Sequence, residues 1–354
     1  MVAISASSQV LVGAVLVDAV RLGRMRHRRR PISMISAAGG FVLGGPLRLN
    51  LRYRQHFSLY LRPPSDVELI IDMTDEPQLG YDDGLPCPEV GAWSETKYRL
   101  VRLYDSLFST GMKFKWDCRV YIDLYSGAGY NRVRNTNKIL SGSPLLALTV
   151  ADPFDKYIFC ERDEELLKAL EVRAKRIAPA ADVAYIPGDC NEQVDRICGE
   201  IPLGSKDNTV LGLCFVDPFD LGIKFETLRK MSARFLDFLC LLALHMDANR
   251  NYSRYVSEDS RKVDEFLGTD RWREAWVEAQ SNRIPFPTFL AQQFAAQMQT
   301  LGYISLPLYK MKEVRSGDNN LPLYHLALFS RSALAYQFWD DVLKYSTDQT
   351  SFGF

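Results

Sequence analysis

No two of the seven cysteines, at 87, 118, 160, 190, 198, 214 and 240, lie closer than eight residues. There is therefore no C-x-x-C, which excludes a zinc knuckle and a dithiol redox motif. An odd count at scattered positions reads as reduced, mostly buried thiols and points to the cytoplasm. These cysteines supply no metal set, and no metal is expected. Net charge is missing too, with 43 Lys and Arg against 43 Asp and Glu. That balance excludes attraction of the whole chain to nucleic acid or a membrane; any such surface has to be a local patch. The apolar run at 9–20 is a dozen residues broken by Asp18, against the ~20 that span a bilayer. No membrane partner is expected.

Lysine is absent from the first 72 residues, which hold ten arginines and four acids, Asp18, Asp66, Glu68 and Asp72. A signal peptide carries its positive charge ahead of its apolar run; here the arginines at 21–30 follow it. After Met73 the chain turns acidic and rich in turn residues, through Asp75, Pro77, Asp82, Asp83, Gly84 and Pro86. The functional start is expected at Met73, with 1–72 a disordered or non-native extension.

What is present is an ordinary globular composition: 47% hydrophobic and 24% charged over 354 residues. That length suits one large domain or two modest ones. Apolar residues at helical spacing predict a helix over 93–109, with Ser94 as N-cap. Lys97 stands where a capping box would place Glu or Gln. A β-rich run over 119–124 ends in the glycine turn Ser126-Gly127-Ala128-Gly129, and 130–141 reads as polar turn. Ser143-Pro144 opens a helix over 145–150. Strands follow at 156–161, 182–187, 209–216 and 236–245, alternating with helices at 163–177, 190–200 and 224–233. Near-continuous apolar strands between helices indicate a parallel sheet covered on both faces. The rhythm breaks at 247–300, a polar helical segment expected to be an insertion for substrate or partner. Trp272 and Trp276, spaced i,i+4, read as core there. Strands at 303–310 and 323–329 and a helix at 333–345 close the chain, the strand pair as an antiparallel addition. The main domain is expected to comprise 73–246 and 301–354.

In an open parallel sheet the ligand lies beyond the carboxyl ends of the strands. Four strand ends carry acids or glycines. The first is Asp123 with Ser126, Gly127 and Gly129, where small residues let a ligand approach the backbone. The second is Glu161, able to accept two ribose hydroxyls. The third is Asp189, placed for an adenine amine or, alternatively, as a helix cap. The fourth is Asp217-Pro218-Phe219. That order is the one expected of an S-adenosylmethionine site. A dinucleotide dehydrogenase is disfavoured, because Arg132 replaces the third glycine of G-x-G-x-x-G. Arg132, Arg134 and Lys138 after the glycine loop, and Asn249 and Arg250 after the fifth strand, are expected on one rim, able to bind phosphate or carboxylate; alternatively they form a solvated charged loop. His245 reads as a satisfied strand-end histidine rather than a base.

From about Met73 to its end the chain resembles the three-Cys-motif partner (TcmP) proteins. The matching stretches are Trp93-Ser-x-x-Lys97, YIDLYSGAGYNRVRNTNKILSGSPL (121–145), KYIFCERD (156–163), GDCNE (188–192), FVDPFDL (215–221), MDANRN (246–251) and LYHLALFS (323–330). The resemblance implies a Rossmann-like methyltransferase fold and a phage-type three-cysteine, radical-SAM-like partner protein. It does not imply a reaction. A looser similarity, carried by Gly142-Ser143-Pro144 and the Asp-Pro-aromatic turn, is to adenine-N6 methyltransferases of ribosomal RNA. In those enzymes a D-P-P-[YF] turn receives the flipped base. By that likeness Asp217 and the Pro218 carbonyl would accept the amine protons while Phe219 stacks on the base. This chain has one proline there, not two, and Asp220 follows. The same turn also reads as a plain strand end with Phe219 in the core. The sequence thus supports an S-adenosylmethionine-dependent methyltransferase acting on a nucleic-acid base amine or on a partner-bound substrate. The alternative is a non-catalytic nucleotide-fold module that docks its partner through 247–300.

Overall fold

The computed structural model describes residues 80–316 and 320–347. The expectations for 1–72, including the start at Met73, lie outside these residues. The elements begin with β1 (Glu89–Val90), α1 (Ser94–Met112), β2 (Cys118–Asp123), β3 (Tyr130–Val133), β4 (Ile139–Ser141) and α2 (Ser143–Leu148). Next come β5 (Lys156–Glu161), α3 (Glu164–Ile177), β6 (Val183–Pro187), α4 (Val194–Glu200), β7 (Val210–Val216), α5 (Phe225–Met231) and β8 (Leu236–Leu242). A π-helical turn, Leu244–Asn249, leads into α6 (Tyr252–Tyr255), α7 (Lys262–Leu267), α8 (Trp272–Ser281) and α9 (Phe286–Thr300). The chain continues through β9 (Lys312–Arg315), β10 (Pro322–Phe329) and α10 (Ala333–Thr347).

Two strands explain the architecture. In β2, Val120 and Ile122 point into one apolar cluster and Tyr121 into another. In β7, Val210, Cys214 and Val216 point one way and Leu211, Leu213 and Phe215 the other. A strand that is apolar on both faces must be covered on both. The seven-stranded sheet runs β6-β5-β2-β7-β8-β10-β9. Its strands are parallel from β6 to β8, and β10 is antiparallel to both β8 and β9. This is the Rossmann-like α/β sheet that the sequence leads one to expect. Residues of α1, α2, α3 and α10 cover one face, with Tyr104, Leu170 and Trp339 fully buried. Residues of α4, α5 and α7–α9 cover the other, through Leu228, Phe266 and Phe294. The 247–300 helices therefore bury apolar residues in the cluster on that face of the sheet, and Trp272 and Trp276 are core. Gly212 sits where β7 passes β8, and a Cβ there would lie 2.3 Å from Leu236 Cδ2. Among the described residues no helix is long and apolar enough to cross a membrane.

Several boundaries differ from expectation. Residues 130–141 are a β-hairpin, β3 paired with β4, and β1 joins β3 to make a second, three-stranded sheet. The polar residues of this segment project from a ladder whose Val133, Ile139 and Leu140 are buried. Ser94 does not cap α1; Trp93 holds the cap position without a side-chain bond. The strand expected over 303–310 is instead a loop that buries Tyr303 and Leu306 and ends in a 3-10 turn, Leu308–Lys310. Tyr303 is buried, and its hydroxyl donates to the Leu236 carbonyl at 3.0 Å. The ladder begins only at Lys312. β8 ends at Leu242, so His245 belongs to the π-turn.

Arg173, on α3, anchors the segment before β1. Its Nε and Nη2 donate to both carboxylate oxygens of Asp83, at 3.0 and 2.6 Å. Its Nη1 donates to the carbonyls of Pro86 and Ala128. Both side chains are nearly inaccessible, at 2% and 3% exposure. The guanidinium holds the Asp83 carboxyl below its ordinary pKa. This stabilisation is complete above the ordinary carboxylate range and is lost as pH falls through the depressed folded value. Asp83→Ala strands a buried cation and should cost about 3–5 kcal/mol at neutral pH. Denaturant midpoints measured against pH should show that deficit shrinking on acidification.

Candidate active site

The order of the sheet reverses between β2 and β7. From β2 the chain proceeds outward through β5 and β6, and from β7 outward the other way. Such a switch point leaves a crevice at the carboxyl edge. Asp123 ends β2 and Asp217 follows β7, so the two acids stand on either side of the switch point.

The glycine loop is held from both sides. Asp123 Oδ1 accepts the Tyr125 N–H at 3.1 Å, and its Oδ2 accepts the Ser143 hydroxyl at 2.6 Å. Ser126 donates both its N–H and its hydroxyl to the Cys160 carbonyl. Gly127 has φ +59° and open space where a Cβ would be. Its N–H donates to Glu161 Oε2 at 2.9 Å. Gly129, at φ +82°, is packed instead; a Cβ would stand 3.0 Å from Leu145 and Leu170. One glycine thus opens the loop to a ligand, and the other lets it lie on α2 and α3.

Glu161, at the end of β5, accepts backbone N–H groups on both oxygens, from Gly127 and Asp163. Asp189 follows Gly188, which adopts φ +121°. Asp189 Oδ1 accepts the Asn191 N–H at 2.8 Å in a local turn. It does not cap α4, whose cap is Gln193.

Asp217 carries a partner that sequence reasoning did not assign. Lys97 Nζ lies 2.6 Å from Asp217 Oδ2, and the two side chains are only 11% and 13% exposed. Burial alone would lower the Lys97 pKa; the adjacent Asp217 charge reverses this and raises it. The signal was the misfit at the helix start, a lysine where a capping box wants an acid. Pro218 is buried and Phe219 is 83% exposed, so Phe219 is not in the core. Asp220 pairs with Lys262 at 3.0 Å. The next residue, Leu221, donates its N–H to buried Asp247, which also accepts from Asn251 and Tyr255. Asp247 therefore ties the π-turn to the Asp217 loop, a role not foreseen from sequence.

The residues of the expected basic rim stand exposed or have local partners. Arg132 pairs with Asp82 at 2.8 Å. Arg134 is exposed, its guanidinium 5.9 Å from the Trp93 ring. Asn249 and Arg250 are exposed on the π-turn. The two arginines of the hairpin thus engage their own surroundings and not the π-turn. Ser143 is turned inward to Asp123. His245 faces Glu313 and His325.

This arrangement offers a row of anchored carboxylates around an open glycine. Such a crevice can take an ammonium, paired hydroxyls and an aromatic amine, all donors. No family model matches the chain, and no curated protein matches it. Solved structures resemble it at low identity. A Legionella pneumophila protein is 13% identical over 72% of this chain and 91% of its own, with a TM-score of 0.42. The cofactor-bound Rv0187 from MTB is 11% identical over 70% and 84%, with a TM-score of 0.38. The magnesium protoporphyrin IX methyltransferase of Synechocystis PCC 6803, with bound SAH, is 8% identical over 68% and 88%, with a TM-score of 0.33.

Burial pushes the Asp123 carboxyl up to about 7, against the Ser143 and Tyr125 hydrogen bonds, with the charges of Asp217 and Glu161 adding to the rise. The unfolded chain then releases this proton first, so stability falls as pH rises from the ordinary carboxylate range through about 7. Asp123→Asn keeps the shape without the charge. It should be more stable than the parent at pH 8 by roughly 1 kcal/mol or more, since a tenfold change in proton affinity is worth about 1.4 kcal/mol. The advantage should vanish at pH 4. Paired denaturant titrations at the two pH values measure it.

Proposed function

We propose that this chain is an S-adenosylmethionine-dependent methyltransferase that modifies an amine of a nucleic-acid base. The observation that carries the reading is the row of four adjacent strands β6, β5, β2 and β7. Their ends bring Asp189, Glu161, Asp123 with Gly127, and Asp217 to one edge, astride the switch point. The residues fit the cofactor's chemistry. Gly127 leaves open space where any side chain would stand. Glu161, steadied by two N–H groups, keeps lone pairs for ribose hydroxyls. Asp189 has a second oxygen for an adenine amine, and buried Asp123 braces the glycine loop beneath the cofactor through Tyr125 and Ser143. When bound, the cofactor supplies an electrophilic methyl group. Asp217 and the Pro218 carbonyl would accept the N–H bonds of the acceptor amine and aim its lone pair. Lys97 fixes Asp217 through Oδ2, which leaves Oδ1 for that task. Phe219, exposed beside them, offers a face for an extruded base. Most of the rate would then come from positioning.

The three-cysteine partner rests on sequence resemblance alone, with the 247–300 helices as its docking segment. One observation favours the second reading, a non-catalytic module docking that partner: Asp217 is already ion-paired, as are Arg132 and Lys138.

Calorimetric titration of the full chain with S-adenosylmethionine and S-adenosylhomocysteine should give saturable binding. Asp189→Ala and Glu161→Ala should each weaken it about tenfold, the equivalent of roughly 1.4 kcal/mol. Asp217→Asn should keep cofactor affinity and lose methyl transfer to RNA. Cofactor binding without transfer to RNA or any other acceptor by the parent chain would favour the module. A folded chain that binds neither ligand would sink the enzyme reading.

A further inference from the structure

We propose that His245, Glu313 and His325 form a binding site for a divalent transition-metal ion, Zn2+ by donor chemistry, which clips the turn after β8 to the β9–β10 pair. The three residues come from separate elements and meet because of register. Glu313 of β9 stands directly opposite His325 of β10. His325 in turn stands opposite Leu242, the last residue of β8, so the π-turn carrying His245 begins beside it.

One donor atom from each residue lies within 4.8 Å of the other two. Glu313 Oε2 is 3.8 Å from His325 Nε2 and 4.0 Å from His245 Nε2. These gaps are too wide for hydrogen bonds. They are slightly wider than the roughly 3.3 Å between ligands that each stand about 2 Å from a tetrahedral ion. Small side-chain rotations close the difference. The other carboxylate oxygen of Glu313 is held by Arg315, which leaves Oε2 directed at both rings. The Nδ1 of His325 is buried without a hydrogen-bond partner. Among the described residues no hydrogen bond accounts for the pairing of these imidazoles, whose ring centroids are 5.7 Å apart.

The side chains are 22%, 34% and 18% exposed, shielded yet open to an ion from solvent. The neutral imidazole keeps a ring lone pair for a metal ion. Two imidazoles and one carboxylate suit Zn2+ and leave a fourth position for water. So nitrogen-rich a set does not suit Mg2+ or Ca2+. Sequence spacing hid the site because its ligands sit on three elements with no motif between them. Its consequence is local: the π-turn also carries Asp247, which holds Leu221 at the end of the Asp217 loop.

The test uses the full chain, tag removed, cysteines alkylated, stripped with EDTA and reloaded with ZnSO4. After gel filtration, mass spectrometry should find one Zn2+ retained per chain. E313Q should retain markedly less, and the double variant H245Q/H325Q less than a tenth. The double variant His27→Gln/His56→Gln should retain the full amount. Zn2+ should raise the melting midpoint of the parent and leave that of H245Q/H325Q, shown folded by circular dichroism, unmoved. Retention of no metal by the folded parent overturns the proposal. So does undiminished retention by H245Q/H325Q.

Discussion

Strands β2 and β7 are buried on both faces, and that constraint organises the molecule. Their side chains alternate between two apolar clusters, so each cluster needs its own layer of helices. With both faces covered, the polar residues that end these strands can meet water only at the carboxyl edge. The crevice lies where β2 and β7 adjoin and the sheet's order reverses. The candidate site is thus a by-product of covering the sheet, and its chemistry depends on what stands at those ends.

What stands there is anchored. Asp123 is held by Ser143 and by its own turn, and Glu161 by two backbone N–H groups. Asp217 is held by Lys97, and the loop beyond it by Asp247. Groups fixed this way need little reorganisation when a ligand arrives, which is where a positioning catalyst finds its advantage. Arg173 extends the same logic outward, joining the segment ahead of β1 to the carbonyl of Ala128 in the glycine loop. The loop is therefore braced by α3 behind it and by Glu161 in front.

Much of this was legible in the residues themselves. The Lys156–Glu161 strand has the bounds its apolar run predicts. Asp163 caps α3 through the N–H groups of Glu165 and Leu166, as its position ahead of the helix implies. Other elements were not legible. The β3–β4 hairpin looked like polar turn because its polar residues outnumber the few apolar ones it buries. The 303–310 segment looked like a strand because Tyr303 and Leu306 are core residues, yet they pack as loop. Apolar spacing reports burial; it reports hydrogen-bond pairing only where a neighbouring strand is in reach.

The sequence alone located the ends of β2, β5, β6 and β7, because periodicity and glycine turns are local and side chains alternate with a fixed period. It placed Asp123, Glu161, Asp189 and Asp217 each at the end of its strand. Tertiary structure decided which side chains meet. Lys97 and Asp217 pair at 2.6 Å although 120 positions separate them. Likewise Glu313 faces His325 only because β9 and β10 pair in one register. Such contacts depend on how elements dock, and docking is set by the summed packing of both cores, which no local stretch of sequence contains.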